Sequence, residues 1–106
     1  MFDLTGCSSA ELAFQFYFVD YETKNEIGDN IFTVECTTDG AEWHIIDTWH
    51  NEIGPSGGST NGLISRSGDM SPCTGSSDAR LRLRMRGSDT SQLFDCDVSE
   101  LAITAR

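Results

Sequence analysis

Four groups of residues in this sequence carry side chains that could bind or react. The first is Trp49-His50-Asn51. An indole stacks on the apolar face of a sugar ring, while a neighbouring imidazole and carboxamide can hydrogen-bond its hydroxyls. Tyr21 is a second ring of the same kind. Trp49, His50, Asn51 and Tyr21 are therefore the candidate carbohydrate contacts. Trp49 also shares a strand face with Trp43, Ile45 and Asp47 under simple alternation, so capping the core is the competing role for it. The second group is Arg80, Arg82, Arg84 and Arg86, on alternate residues and so on one face of a strand. Guanidiniums grip carboxylates in bidentate fashion, which suits an acidic glycan or the acidic face of another protomer. The plainer alternative is pairing with the chain's own Asp and Glu, at about 0.2–1 kcal/mol per exposed pair. The third is Asp95 and Asp97, which flank Cys96 and share a strand face. The fourth is the pair of histidines, His44 and His50. No serine sits in a Gly-x-Ser-x-Gly elbow, and under strict alternation His44 and Asp47 face opposite ways. Nothing in this set has catalytic spacing, so a non-catalytic protein is expected.

The balance of charge narrows the partners. The 106 residues carry 17 acidic and 7 basic side chains, a formal net charge of −10, and Lys24 is the only lysine. Phosphate recognition needs clustered cations, so nucleic acid and anionic membrane surfaces are disfavoured. Neutral sugars, cations and basic protein surfaces are left. No apolar run approaches the roughly 20 residues of a membrane-spanning helix. The opening Met1-Phe2-Asp3-Leu4 lacks the basic and apolar regions of a signal peptide, so a secreted form would correspond to the mature portion.

Cys7, Cys36, Cys73 and Cys96 are widely spaced, without the Cys-x-x-Cys pairs of zinc and redox motifs. An even number at wide spacing in a small chain points to two disulfides and an oxidising, extracellular compartment. Four buried free thiols are the alternative. Three connectivities are open. Cys7–Cys73 with Cys36–Cys96 is preferred, since the first two fall at loop or strand edges and the other two inside strand-like runs.

The elements that must position these groups are strands. Glu11 to Asp20 alternates strictly, with Leu12, Phe14, Phe16 and Phe18 on a core face. After a polar loop from Tyr21 to Asn30, read as a hairpin, comes a strand from Asn30 to Thr37. Asp39-Gly40 marks a tight turn, and a third strand runs from about Glu42 to Trp49. The stretch from Asn51 to Ser77 is rich in Gly, Ser, Pro and Asn, with Leu63-Ile64-Ser65 as its one candidate strand. Ala79 to Arg86 and Phe94 to Thr104 are the last two, and Phe2 to Leu4 is a candidate edge strand. Six to eight strands at this spacing, in one domain of residues 1–106, predict an all-β, single antiparallel β-sandwich.

Several of these stretches resemble a family pattern. Gly28-Asp29-Asn30-Ile31-Phe32-Thr33-Val34-Glu35, then Asp39-Gly40-Ala41-Glu42-Trp43, then Arg80-Leu81-Arg82-Leu83-Arg84 and Phe94-Asp95-Cys96-Asp97-Val98 look like the MAM-like and galactose-binding-like jelly-roll modules of secreted proteins. The resemblance implies a jelly-roll type of sandwich with Trp43 in the core. It also implies a structural calcium ion near the first and last strands, for which Asp3, Asp29, Asp95 and Asp97 are the candidate ligands. The expectation is an extracellular, non-catalytic carbohydrate-binding module for a glycan or polysaccharide, stabilised by calcium. The alternative is an adhesion or self-assembly module, which meets other protein subunits through the arginine strand and the acidic faces.

Overall fold

The computed structural model describes residues 2–20, 30–51, 60, 62–87 and 94–106. Among these residues the strands are β1 (Ala10–Asp20), β2 (Asn30–Thr37), β3 (His44–Asn51), β4 (Ile64–Asp69), β5 (Arg80–Gly87) and β6 (Phe94–Ala105). They form two antiparallel three-stranded sheets, ordered β4-β1-β6 and β3-β2-β5. β1 and β2, read as a hairpin from the sequence, thus belong to different sheets. The cause is their aromatic faces. Phe14, Phe16 and Phe18 from β1 and Phe32 from β2 are all buried. They bury most area when stacked across the gap between two sheets. Phe16 lies on Phe32 with ring centroids 4.6 Å apart, and the Trp49 ring packs 5.2 Å from Phe16 and 4.8 Å from Phe18.

With β1 over β2, β4 lies near β3 along one side, and β6 and β5 occupy the other. The β3/β4 side is clasped. Arg66 donates through Nε to Asp47 Oδ2 at 2.6 Å and through Nη2 to Asp47 Oδ1 at 2.8 Å and to the Thr48 carbonyl at 3.1 Å. Gly68 is buried opposite Leu12, and a Cβ built there would lie 2.7 Å from the Ile46 carbonyl oxygen. Because that oxygen belongs to backbone, the two edges would have to part. Gly68→Ala is therefore expected to cost about 1–3 kcal/mol, read as a lower Tm in thermal unfolding.

One end of the molecule is tied by the Cys36–Cys73 disulfide. A short 3-10 turn, Ser71–Cys73, follows β4 and carries Cys73 across to β2. This corrects the preferred pairing of Cys7 with Cys73 and Cys36 with Cys96. Cys96 is opposite Phe18, toward the far end of β1, whereas Cys7 lies near Leu4 at the disulfide end. Most of the length of β1 separates them, so they cannot bridge within one chain. Both are free. The candidate edge strand Phe2–Leu4 reduces to a single bridge between Phe2 and Ala79.

Two bulges alter the alternation. β3 holds an extra residue at Ile46, so that Asp47 is opposite Val34 while Ile45 is opposite Glu35. His44 and Asp47 consequently share the inner side, against strict alternation. In β6, Glu100 and Leu101 both face Phe14, and Glu100 has φ of 54°. A left-handed backbone costs an ordinary residue about 1–2 kcal/mol, while glycine gives back part of that through unfolded-state entropy. Glu100→Gly is expected to gain roughly 0.5–1 kcal/mol, a rise of a few degrees in Tm.

Candidate functional site

β5 is the chemically richest element. Register against β2 sets Leu81, Leu83 and Met85 opposite Cys36, Val34 and Phe32, on the inner side. Arg80, Arg82, Arg84 and Arg86 then line the outer face opposite Thr37, Glu35, Thr33 and Ile31. The four arginines are not equivalent. Arg80 pairs with Asp78 in the open, at 3.1 Å. Arg82 donates to Glu35 Oε1 at 2.9 Å and lies 4.1 Å from the Trp43 ring centroid, a cation–π contact. Glu35 is 5% exposed although it sits on an outer face. Arg82 and Thr33, whose hydroxyl donates to Glu35 Oε2 at 3.1 Å, satisfy both of its oxygens. The Arg82 hydrogen bond holds the Glu35 carboxyl below its usual value against the opposing effect of burial. Among the described residues, Arg84 and Arg86 are exposed and have no ion-pair partner.

Trp43 is half-buried under Arg82, where the resemblance put it in the core. It ends the connection from β2 to β3, which is longer than the tight hairpin expected from Asp39-Gly40. Asp39 Oδ1 accepts from Ala41 N at 2.8 Å and Glu42 N at 2.9 Å. These backbone donors lower the Asp39 carboxyl pKa and shape the loop that delivers Trp43 to the outer face.

Beside β5 lies the second sheet's outer strand. Register against β1 sets Cys96, Val98 and Ile103 of β6 on the inner side and Asp97 and Ser99 on the outer face. β5 and β6 are both terminal strands of their sheets, each with one unpaired backbone edge among the described residues. No clasp like Arg66–Asp47 joins them among those residues. Leu83 and Leu101 are correspondingly 44% and 45% exposed, and Met85, Val98 and Ile103 are half-buried. Partial burial, then the Asp97 carboxylate, pushes the Cys96 thiol up to about 11, which keeps it a neutral thiol at neutral pH.

No protein-family model matches this chain, and no curated protein is significantly similar to it.

Of the expected carbohydrate contacts, Trp49 points inward onto Phe16 and Phe18, in the competing role of core cap. His50, opposite Ile31, is on the outer face. Successive strand residues face opposite ways, so the two do not form one platform. Tyr21 lies outside the described residues, as does the side chain of Asn51. Of the expected calcium ligands, Asp3 is an exposed turn residue whose pKa is lowered by the Thr5 side chain first and then by the Thr5 N–H, which donates to it at 3.0 Å. Asp97 is opposite Tyr17, roughly 20 Å along β1 from the end where Asp3 sits. Those two cannot share an ion. Asp29 and the side chain of Asp95 lie outside the described residues. Among the described residues, no group of three or more His, Cys, Asp or Glu is placed to hold a metal.

A shallow polar depression lies at the disulfide end, lined by Ser9, Glu11, Asp69, Thr104 and Arg106. Glu11 and Asp69 are register partners. Asp69 accepts from Ser71 N at 2.9 Å and from its hydroxyl, which lowers its pKa and makes it a poor proton donor. The pairing of Glu35 with Arg82 was the feature least visible in advance, because it depends on the β2–β5 register. A lone glutamate amid Thr33, Val34 and Cys36, in a strand with no other charge, was the one signal of it.

Proposed function

We propose that this chain is a non-catalytic, extracellular interaction module of jelly-roll type, which binds protein along its open β5/β6 side. The observation that carries the reading is the pair of strand edges left unpaired among the described residues, with half-exposed Leu83, Met85, Val98 and Leu101 between them. Free edges are templates for further strands, and proteins that do not use them usually block them. The jelly-roll assignment is supported by nested pairing, β1 with β6 and β2 with β5; β3 beside β2 departs from the simplest form of it. The Cys36–Cys73 disulfide suits an oxidising compartment, and no described helix is long and apolar enough to cross a membrane.

Carbohydrate binding is the second reading, favoured by one observation. Arg84 and Arg86 stand exposed, with no ion-pair partner among the described residues, on the outer face that also carries His50, an arrangement suited to an acidic glycan. Two measurements separate the readings. Sedimentation over a wide concentration range should reveal association, abolished by Leu83→Lys with little change in Tm. A glycan array should stay blank; acidic glycans bound by the chain and lost in Arg84→Ala would transfer the function to sugars.

A further inference from the structure

The open side has a specific complement, and the chain itself carries it. We propose that two copies join by a two-fold axis parallel to the strands, β5 of each pairing with β6 of the other. This rests on the interaction-module reading and names its partner as a second copy.

The geometry follows from the register. β1 runs away from the disulfide end and β2 toward it, so β5 starts at that end while β6 finishes there. β5 and β6 are therefore antiparallel in direction. Phe16 stacks on Phe32, Phe32 is opposite Met85, and Phe16 is opposite Val98. Met85 and Val98 thus lie at one height along the molecule. Rotation about an axis along the strands preserves height and exchanges the two layers. It brings β5 of one copy edge to edge with β6 of the next, Met85 beside the partner copy's Val98. Antiparallel pairing then sets Arg86 opposite the other copy's Asp97 and Arg84 opposite its Ser99, all on the outer face. Leu83 meets the bulge at Glu100 and Leu101 on the inner side. The same contacts occur twice.

Charge selects this arrangement over the other two-fold. An axis perpendicular to the sheets would pair β5 with β5 and oppose two arginine stripes, which is unfavourable. In the arrangement proposed, Arg86 and Asp97, both exposed and both without an ion-pair partner among the described residues, find each other. The four three-stranded sheets of two copies become two continuous six-stranded ones, the β5 and β6 edges pair, and the half-exposed apolar residues close into one core. The closed symmetry stops at two copies rather than growing a fibre.

Charge reversal tests it. The unaltered chain should sediment as a dimer, loosened by high salt. Arg86→Glu and Asp97→Arg should each sediment as folded monomers, with the Tm transition retained. Mixed in equal amounts, the two variants should form a heterodimer, because one Arg86–Asp97 contact is kept and the other becomes an attractive Glu–Arg contact. The double variant Arg86→Asp/Asp97→Arg should dimerise as well. Association that persists in both single variants, or a mixture that stays monomeric, overturns this geometry and leaves the interaction-module reading standing. A chain that is monomeric at every concentration overturns both.

Discussion

In a reducing buffer the chain is expected to melt roughly 15–30 °C below its oxidised form. Cys36 and Cys73 are separated by 37 residues, and closing a loop of that size removes about 4 kcal/mol of chain entropy from the unfolded state. In a domain near 100 residues each kcal/mol moves the midpoint by about 4–8 °C. Both cysteines are fully buried, in contact with the cluster that contains Leu4, Ala10, Met70 and Ala79. The bond also fixes the segment that leaves β4 and enters β5, so its loss removes a covalent cross-link between that segment and β2. Cys36→Ala/Cys73→Ala should melt close to the reduced protein and be insensitive to reductant. An oxidised-minus-reduced difference of only a degree or two would show that the packing around the sulfurs, and not the cross-link, holds this end.

Arg82→Met is expected to destabilise the chain by about 2–3 kcal/mol at neutral pH, out of proportion to a residue whose side chain is 34% exposed. The cost comes from the residue left behind. Removing one partner strands a buried carboxylate, and a fully buried pair would lose about 3–5 kcal/mol; partial access of water here lowers that. Glu35→Leu/Arg82→Met should recover most of the loss, because neither charge then remains to be desolvated. The pH dependence gives a separate check. In the unaltered chain Glu35 titrates below its ordinary 4.5 in the folded state, so its contribution is present above that pH and is lost as pH falls beneath it. In Arg82→Met the largest lowering influence is gone, and burial is opposed only by the Thr33 hydroxyl and the Arg84 charge, so the same pKa rises relative to the parent. The variant should then gain ground on the parent as pH falls through the acid range around 4.5. Urea midpoints at several pH values would measure this, and parallel curves would contradict it.

These effects differ in how far they can be read from the sequence. The strict alternation of Leu12, Phe14, Phe16 and Phe18 marked β1 and its core face, and β2 and β5 were equally legible from their periods. β4 was visible only as Leu63-Ile64-Ser65. Beyond that point Arg66, Ser67, Gly68 and Asp69 look like loop, and Gly68 occupies a core-side position because the Ile46 backbone leaves no space for a larger residue. Alternation told which way the arginines point but not that Glu35 would be buried beneath one of them. The relation of His44 to Asp47 was lost to a bulge that composition does not announce. Disulfide pairing was the least legible feature. It depends on a 3-10 turn bringing Cys73 over to β2, and on Cys96 being held against β1 in the opposite layer.

The pairing of β1 with β6 governs how the chain can be made. The middle strand of its sheet pairs with β6, Ala10 opposite Ala105, so β1 gains that neighbour only after β2 to β5 have been made. No N-terminal portion can form that sheet, and contacts so distant in sequence place the chain among slow folders, in the millisecond-to-second range. Cys36 and Cys73, by contrast, are both available before β6 exists. An oxidising environment can therefore lock the partly made chain, with β1 still waiting for the strand that completes its sheet.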